Sequence, residues 1–369
     1  MNVKIKKEIA FPILSQIQGI LEKRSTLPIF SNVLIRAYDN YQIQVYASDS
    51  ELSFSAYFSA QVKDKGAVVL SGKKLFEIVR ELEDDFFELS LEKNQQIQIK
   101  QACSLFKING LNPKDFPSFP VLQNKKTQTF SVGDILEVID KTLYCVSLDE
   151  SRYHLTGVFL EQVSSQYRFV ATDGHRMSFI DIKGSKNEEL EQGIIIPRKG
   201  LQELKKMLAG AERTEKVEIS IEKPRILVQF KNQSLNIRLI EGQYPNYKSL
   251  LPKQTGKEII VSTADFLSSL KRISVLTSAR FKGVNFIFIK NSLSIEYSHP
   301  EVGEASEKLD CCYEGEELKI RFNSKYILDI LHSIHEEKIK LFLKDSRSPG
   351  LIQTASKKNY VCLVMPMKL

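Results

Sequence analysis

The chain has 369 residues, 42% hydrophobic and 26% charged, an ordinary balance for a globular protein but more than one core usually organises. No apolar run approaches the roughly 18 residues of a membrane span, and the start lacks the apolar stretch of a secretory leader, so a cytosolic protein is expected. The net charge of +7 permits a polyanionic partner; Cys103, Cys145, Cys311, Cys312 and Cys362 make neither a disulfide framework nor a C-x-x-C metal pair, and read as reduced packing residues.

Met1 to Glu8 alternates as a strand does, and an amphipathic helix follows, with Ile13, Leu14, Ile17, Ile20 and Leu21 on one face. Pro12 falls in what reads as its opening turn, where a missing N–H costs little. Alternation then predicts strands at Val33 to Ala37, Gln42 to Ala47 and Leu52 to Phe58. A second helix spans Lys74 to Leu82, the acidic stretch Glu81 to Asp85 reads as a solvated loop, and strands follow at Glu88 to Glu92, Gln96 to Gln101 and Ser104 to Asn109. The proline-rich stretch Asn112 to Pro120 is a linker.

The same order comes back twice. Ile135, Leu136, Ile139 and Leu143, and later Phe266, Leu267, Leu270 and Ile273, mark opening helices, each with a start signal in Ser131-x-x-Asp134 and Ser262-x-x-Asp265. In the middle third, strands are predicted at Gly157 to Gln162, Arg168 to Thr172 and Arg176 to Ile182, then at Lys216 to Ile221, Arg225 to Phe230 and Ser234 to Ile240. The last third offers Val284 to Lys290, Ser292 to Tyr297 and Lys308 to Tyr313, then Ile339 to Leu343, Leu351 to Thr354 and Tyr360 to Met365. Two landmarks hold the register: Lys74, Lys199 and Lys325 on the second helices, and Val33, Val158 and Val284 on the first strands, are spaced by 125 and 126 positions. A second linker, Gly242 to Lys248 with Pro252 to Gly256, shares an aromatic-Pro pair with the first. The prediction is an α+β chain of three repeated domains, 1–122, 128–252 and 257–369, with antiparallel sheets because the connections are too short for parallel crossovers.

No nucleophile elbow, zinc-protease helix, Rossmann fingerprint or phosphate loop is present; Thr255-Gly256-Lys257 runs into Glu258. His332 and His335 lie i, i+3 near a helix C-terminus, where the dipole alone favours histidine, so no metal site is assigned. Basic residues recur on the helices: Lys73, Lys74 and Arg80; Arg198, Lys199, Lys205 and Lys206; Lys141, Lys271 and Arg272. Such a pattern suits a protein that tracks a phosphate backbone without reading bases, and it equally suits ordinary solvated helices. Ala171 to Met177, with Asp173-Gly174 between alternating strands, reads as a hairpin turn. The tail Val364 to Leu369 reads either as a methionine-rich partner surface or as a closing strand.

Thr172-Asp173-Gly174-His175-Arg176 and Met365-Pro366-Met367-Lys368-Leu369, with Arg24-Ser25-Thr26-Leu27-Pro28, Asp115-Phe116-Pro117 and Pro197-Arg198-Lys199-Gly200, make the whole chain resemble the bacterial sliding clamps, the beta subunits of DNA polymerase III. The resemblance implies three clamp domains, each with two helices packed on antiparallel sheets, two chains joined head to tail, and a ring around duplex DNA. It implies a non-catalytic processivity factor without cofactors, which meets polymerase and clamp-loader subunits through a short peptide motif. The family's peptide pocket falls here on Leu155, Thr172, Gly174, His175, Arg176, Met177, Pro245, Leu250, Leu363, Val364, Met365, Pro366 and Met367, with Met177 where leucine is commoner and Ser249 at an often basic position. Its DNA contacts fall on Arg24, Tyr153, His154, Arg198 and Lys199; His154 replaces an aromatic residue, and Asp149 stands where a neutral amide can occur. Its subunit interface sets Lys74, Ile78, Phe106 and Ile108 against Val275, Leu276, Glu301 and Glu304. Without the resemblance, the residues also allow a monomeric repeat scaffold that binds only proteins, or a hydrolase using His175 with a nearby acid.

Overall fold

The computed structural model describes all residues except 23–26, 40, 84, 93–94, 121, 123–125, 185–189, 191–192, 252–255, 279–280, 356–358 and 369. The first third runs β1 (Asn2–Lys6), α1 (Lys7–Ile17), β2 (Asn32–Ala37), β3 (Gln42–Ser48), β4 (Leu52–Ser59), β5 (Gln61–Asp64), β6 (Gly66–Ser71), α2 (Gly72–Glu81), β7 (Phe86–Leu91), β8 (Gln96–Gln101) and β9 (Ser104–Asn109). The second runs β10 (Lys126–Ser131), α3 (Val132–Thr142), β11 (Gly157–Val163), β12 (Gln166–Thr172), β13 (Arg176–Lys183), β14 (Ile194–Pro197), α4 (Arg198–Met207), β15 (Lys216–Glu222), β16 (Arg225–Phe230) and β17 (Gln233–Arg238). The third runs β18 (Lys257–Ser262), α5 (Thr263–Ser274), β19 (Gly283–Ile289), β20 (Ser292–His299), β21 (Gly303–Cys312), β22 (Leu318–Asn323), α6 (Ser324–His332), β23 (Lys338–Leu343), β24 (Gly350–Thr354) and β25 (Tyr360–Val364).

Each third is therefore strand, helix and three strands, done twice, with β5 as an insertion. Alternation found β1 and the strands after the helices but missed the others that lead into helices, β6, β10, β14, β18 and β22. In β6 and β14 the apolar residues run consecutively: Val68 to Leu70 and Ile194 to Ile196 are all buried, and such runs carry no period to separate strand from helix. Pro12 is inside α1 and not in its opening turn, because β1 passes directly into a helix that starts at Lys7. Side chains close the helix starts as the repeat demands: Ser71 Oγ accepts from the Lys74 N–H, Ser262 Oγ from Asp265 and Asn323 Oδ1 from Lys325. Of the five cysteines, Cys145, Cys311 and Cys362 are buried as expected of packing residues; Cys103 and Cys312 are exposed, which that reading did not expect.

Contacts divide the chain into two units, one of Met1–Gly133 with Lys199–Leu239, the other of Asp134–Gly184, Glu189–Arg198 and Ile240–Leu369. The first holds a sheet ordered β5-β1-β7-β8-β9 and another ordered β10-β15-β16-β17-β4-β3-β2-β6. The second holds one sheet, β14-β11-β12-β13-β25-β24-β23-β18-β21-β20-β19-β22. Strands of different repeats thus continue one another. β4 of the first repeat pairs with β17 of the second, and β13 of the second pairs with β25 of the third, both antiparallel.

The two joints have one register. Arg238 N donates to Glu51 O at 2.8 Å in the first, and Met365 N to His175 O at 2.9 Å in the second; at the other end Tyr57 N donates to Asn232 O and Asp181 N to Asn359 O. Beside each joint a linker seals the sheet with two aromatics at the same spacing. In the first unit Phe116 and Phe119 pack on Tyr46, ring centroids 5.2 and 5.5 Å away. In the second, Tyr244 stacks on Phe159 at 4.7 Å and Tyr247 lies in the cluster of Val170, Met177, Phe179 and Leu363. A buried aromatic of this kind contributes about 2 to 3 kcal/mol, which explains an aromatic-Pro pair in each linker.

Within the first unit, α4 meets α1 closely. Gln16 Nε2 donates to Glu203 O at 2.9 Å, and a Cβ on Gly19 would sit 2.2 Å from Glu203 Oε1, so the glycine makes room for a buried carboxylate that Lys206 pairs at 2.7 Å.

Candidate functional site

The hairpin between β12 and β13 is held by its own side chains. Gly174 takes φ +89°, Thr172 Oγ1 donates to Arg176 O at 2.7 Å, and Asp173 Oδ1 accepts from the His175 and Arg176 N–H groups at 2.9 and 3.0 Å. This is the turn that Asp-Gly predicted. Because Asp173 is spent on its own turn, His175 gains no carboxylate partner from it, and the hydrolase reading loses its nearest acid.

β25 lies against β13, pairing Met177 with Leu363 and Arg176 with Val364. Beyond it the tail is anchored by Met365 N on His175 O and by Met367 N on Arg321 O at 2.7 Å. Two stretches far apart in sequence thus form one surface: Val364 closes a strand, as the second reading of the tail expects, while Met365 and Met367 are exposed. Of the expected pocket residues, Leu155, Thr172, Arg176, Met177, Leu363 and Val364 are buried; Gly174, His175, Pro245, Leu250, Met365 and Met367 are exposed, and Pro366 is half-buried. A cavity of about 610 Å³ beside them is lined by Ser346, Arg347, Pro366, Met367 and Lys368. No motif marked Ser346 and Arg347 in the sequence: their loop is shaped by Asp345, whose Oδ1 accepts from the Arg347 and Ser348 N–H groups at 2.8 and 2.7 Å.

In the same unit the Tyr144 and Tyr360 hydroxyls meet at 2.7 Å, and Ser333 Oγ lies 2.7 Å from the Tyr360 hydroxyl. Burial pushes both tyrosines well above the usual range and raises the Cys362 thiol to about 11. His332 and His335 are exposed along a cleft of about 300 Å³ with Asp140, Tyr144, Asp329 and Ser333. Among the described residues no group of three His, Cys, Asp or Glu side chains is placed to hold a metal ion.

The recurring cations are less available than their spacing suggested. Lys199 Nζ is paired with the buried Asp49 carboxylate. Lys74 pairs with Glu77 at 3.3 Å, Lys141 with Glu137 at 2.5 Å, and Arg272 forks onto Glu307 at 2.6 and 2.7 Å. Arg198 opens α4 and is half-buried; Tyr153 is 54% exposed, its ring edge-on to His154 at 5.6 Å. Nearby, hydrogen bonds from the Ser151 hydroxyl and amide and from Arg152 hold Asp149 below the usual carboxylate range. Arg24 lies outside the described residues.

The expected interface residues gather at two bare strand edges, one in each unit. β9 is the end strand of its sheet, with Leu105 51% and Phe106 37% exposed, Ile108 in the same strand, and Lys74 and Ile78 on α2. Gly110 N donates to Gln95 O, so by alternation Leu105, Lys107 and Asn109 turn their backbone groups outward. β21 pairs with β20 along its length but with β18 only at Cys311 and Cys312. Cys311 N donates to Asn291 O, so Glu304, Ser306 and Lys308 point their backbone groups away from β20. After α5, Val275 is 80% exposed and Leu276 half-buried; Glu301 and Glu304 are exposed.

Family models of the DNA polymerase III beta subunit match in succession: the N-terminal domain over residues 1–120, the central domain over 130–246 and the C-terminal domain over 248–368. The chain is 30% identical over 371 residues to a beta sliding clamp of Salmonella typhimurium and 28% identical over 370 residues to one of Vibrio cholerae, in each case across 100% of both chains. Among solved structures it is similar to a sliding clamp of Bartonella birtlesii bound to griselimycin, with TM-score 0.95 at 28% identity and 100% of both chains covered. A Bacillus subtilis DNA polymerase sliding clamp also gives TM-score 0.95 at 28% identity, covering 100% of this chain and 99% of that one.

Proposed function

This chain belongs to the DNA polymerase III beta subunits, the bacterial sliding clamps, and we propose that two copies close head to tail around duplex DNA and hold a polymerase to its template. The function is a processivity clamp, and the observation that carries its assembly is the count of joints. Three repeats supply three strands of the β4, β13, β21 kind and three of the β17, β25, β9 kind. Two pairs are consumed within the chain, which leaves β21 and β9. A second copy satisfies both edges at once, by a heterologous contact that closes.

Transferring the register of the internal joints fixes the missing one. The hairpins β8–β9 and β16–β17 match, each with a two-residue loop whose first residue, Ala102 or Lys231, has positive φ; Lys107 therefore corresponds to Asn236. Glu304, the first outward residue of β21, corresponds to Ser53 and Met177. Since Ser53 faces Asn236, Glu304 would face Lys107 and Ala305 would face Phe106. Opposite charges on facing positions favour this pairing. Lys74 corresponds to Lys199, whose partner Asp49 sits in the β3–β4 turn; the matching turn of the third repeat carries Glu301. Val275 and Leu276 would lose their exposure in the same contact.

A closed ring grips no base sequence, so it cannot fall off an unbroken duplex yet can slide. No bond is made or broken by the protein, and we read it as a non-catalytic cytoplasmic factor without a cofactor. Partners would enter the groove of His175, Leu250, Met365 and Met367 with apolar anchors, the mode that dominates small interfaces. A tethered polymerase then meets each primer end at high effective concentration. Arg198, Lys199, Tyr153, His154 and Arg24 remain our proposed DNA contacts, with Lys199 attenuated by Asp49. A monomeric scaffold would leave both strand edges bare. Sedimentation equilibrium at low micromolar concentration should give twice the chain mass of 42.2 kDa; a species of single-chain mass would refute the closure.

A further inference from the structure

Arg176 belongs to the turn that forms one wall of the groove, yet its side chain is 8% exposed and turned into the protein. Its Nη1 lies 2.6 Å from Asp329 Oδ2, its Nη2 donates to Tyr144 O at 2.6 Å, and its Nε reaches Asp173 Oδ2 at 3.1 Å. The guanidinium also lies over the Tyr326 ring, 4.5 Å from the centroid, and the same ring stacks on His175 at 6.4 Å. Tyr326 and Asp329 are one turn apart on α6, more than 150 residues from the hairpin they hold.

A buried guanidinium needs its counter-charge, because removing one partner leaves the other charge stranded. The hairpin's own Asp173 cannot serve alone, since its other oxygen is occupied by the N–H groups of His175 and Arg176. If Arg176 swung out to water, the turn would move with it, because Arg176 O accepts the Thr172 hydroxyl and Arg176 N donates to Asp173. We propose that Asp329, supported by Tyr326, is a positioning residue for partner binding: it fixes Arg176 and thereby the turn that presents Gly174 and His175. The inference rests on the groove reading above and deepens it. Arg176 then serves the groove as an internal strut.

The test is calorimetric titration of the intact dimer with a synthetic peptide carrying a glutamine followed by leucine and phenylalanine anchors. Asp329→Asn keeps the side-chain shape, removes the charge, and should weaken binding about tenfold, the scale of one charge-assisted hydrogen bond. In an Arg176→Met background the same change should cost nothing further, and in Asp329→Asn alone the Gly174 to Met177 amides should exchange faster while sedimentation still reports a dimer. Should Asp329→Asn fail to fold, Asp329→Glu displaces Arg176 by one methylene and goes through the same cycle. Wild-type affinity in the folded variant, or losses that multiply in the double variant, would overturn the proposal. A wild-type dimer that ignores the peptide would sink the groove reading, and this inference with it.

Discussion

Replacing Lys107 by proline separates folding from assembly. In β9 the even residues bond to β8, whereas Lys107 turns its N–H outward, so the ring deletes no bond within the chain. Proline is tolerated on such an edge, and Phe106 before it is already extended. In the proposed dimer the same N–H donates to Glu304 O of the second copy. Its loss removes a hydrogen bond of about 1 kcal/mol and leaves a carbonyl unsatisfied in the joint for another 1 to 2. The facing Lys107–Glu304 pair adds about 0.5 kcal/mol. The total is about 3 kcal/mol at each joint, and a ring of two copies has two such joints, so about 6 kcal/mol is lost and the dimer dissociation constant rises roughly ten-thousandfold. Sedimentation velocity over a dilution series reads this directly, with far-UV circular dichroism to show that the chain stays folded. Phe106→Pro is the control of opposite phase, since it removes an N–H committed to β8 and should lower thermal stability. Wild-type dimerisation in a folded Lys107→Pro variant would refute the register and the joint count behind it.

Gly157→Ala should destabilise the fold by about 1 to 3 kcal/mol, because its Cβ would lie 2.5 Å from Ile196 O in the neighbouring strand; a chemical melt measures it. Maleimide at pH 8 should label Cys103 and Cys312 and spare Cys145, Cys311 and Cys362 until denaturant is added, as peptide mass mapping can check. Burial raises the Cys362 pKa from 9.0 to about 11, so the folded chain retains a proton that the unfolded chain releases; this contribution is complete below pH 9 and is lost as pH rises toward 11. Urea midpoints across that window should therefore fall, and a flat profile would contradict the burial assigned to this thiol. Deleting residues 365–369 removes the Met365 and Met367 anchors but touches neither β9 nor β21, so the truncated protein should remain a dimer and lose peptide binding.

The threefold repeat was legible because the second helices and the strands after them carry surface periodicity: one face polar, one buried. What stayed hidden was where strands of different repeats meet. Met177 and Leu363 look like any two core residues in sequence, and their pairing is set by sheet edges that need partners, which no local pattern records. The site divided along the same line. His175, Arg176 and the Met365 tail were found by motif, and their backbone bond follows from the joint. Asp329 and Tyr326, proposed as positioning residues, carry no motif since they occupy ordinary helix positions, and the pairing of Lys199 with Asp49 was hidden because the two lie far apart in sequence.

A ring around DNA is held by topology, and one measurement tests this without reference to any single contact. The protein is loaded by its clamp loader onto nicked circular DNA, and the bound fraction is followed by gel filtration in moderate salt, before and after a single restriction cut. An encircling clamp should be retained on the circle and lost within the time of sliding to a free end once the duplex is linear. Equal retention on both forms, falling together as salt rises, would show ordinary electrostatic adhesion and contradict encirclement.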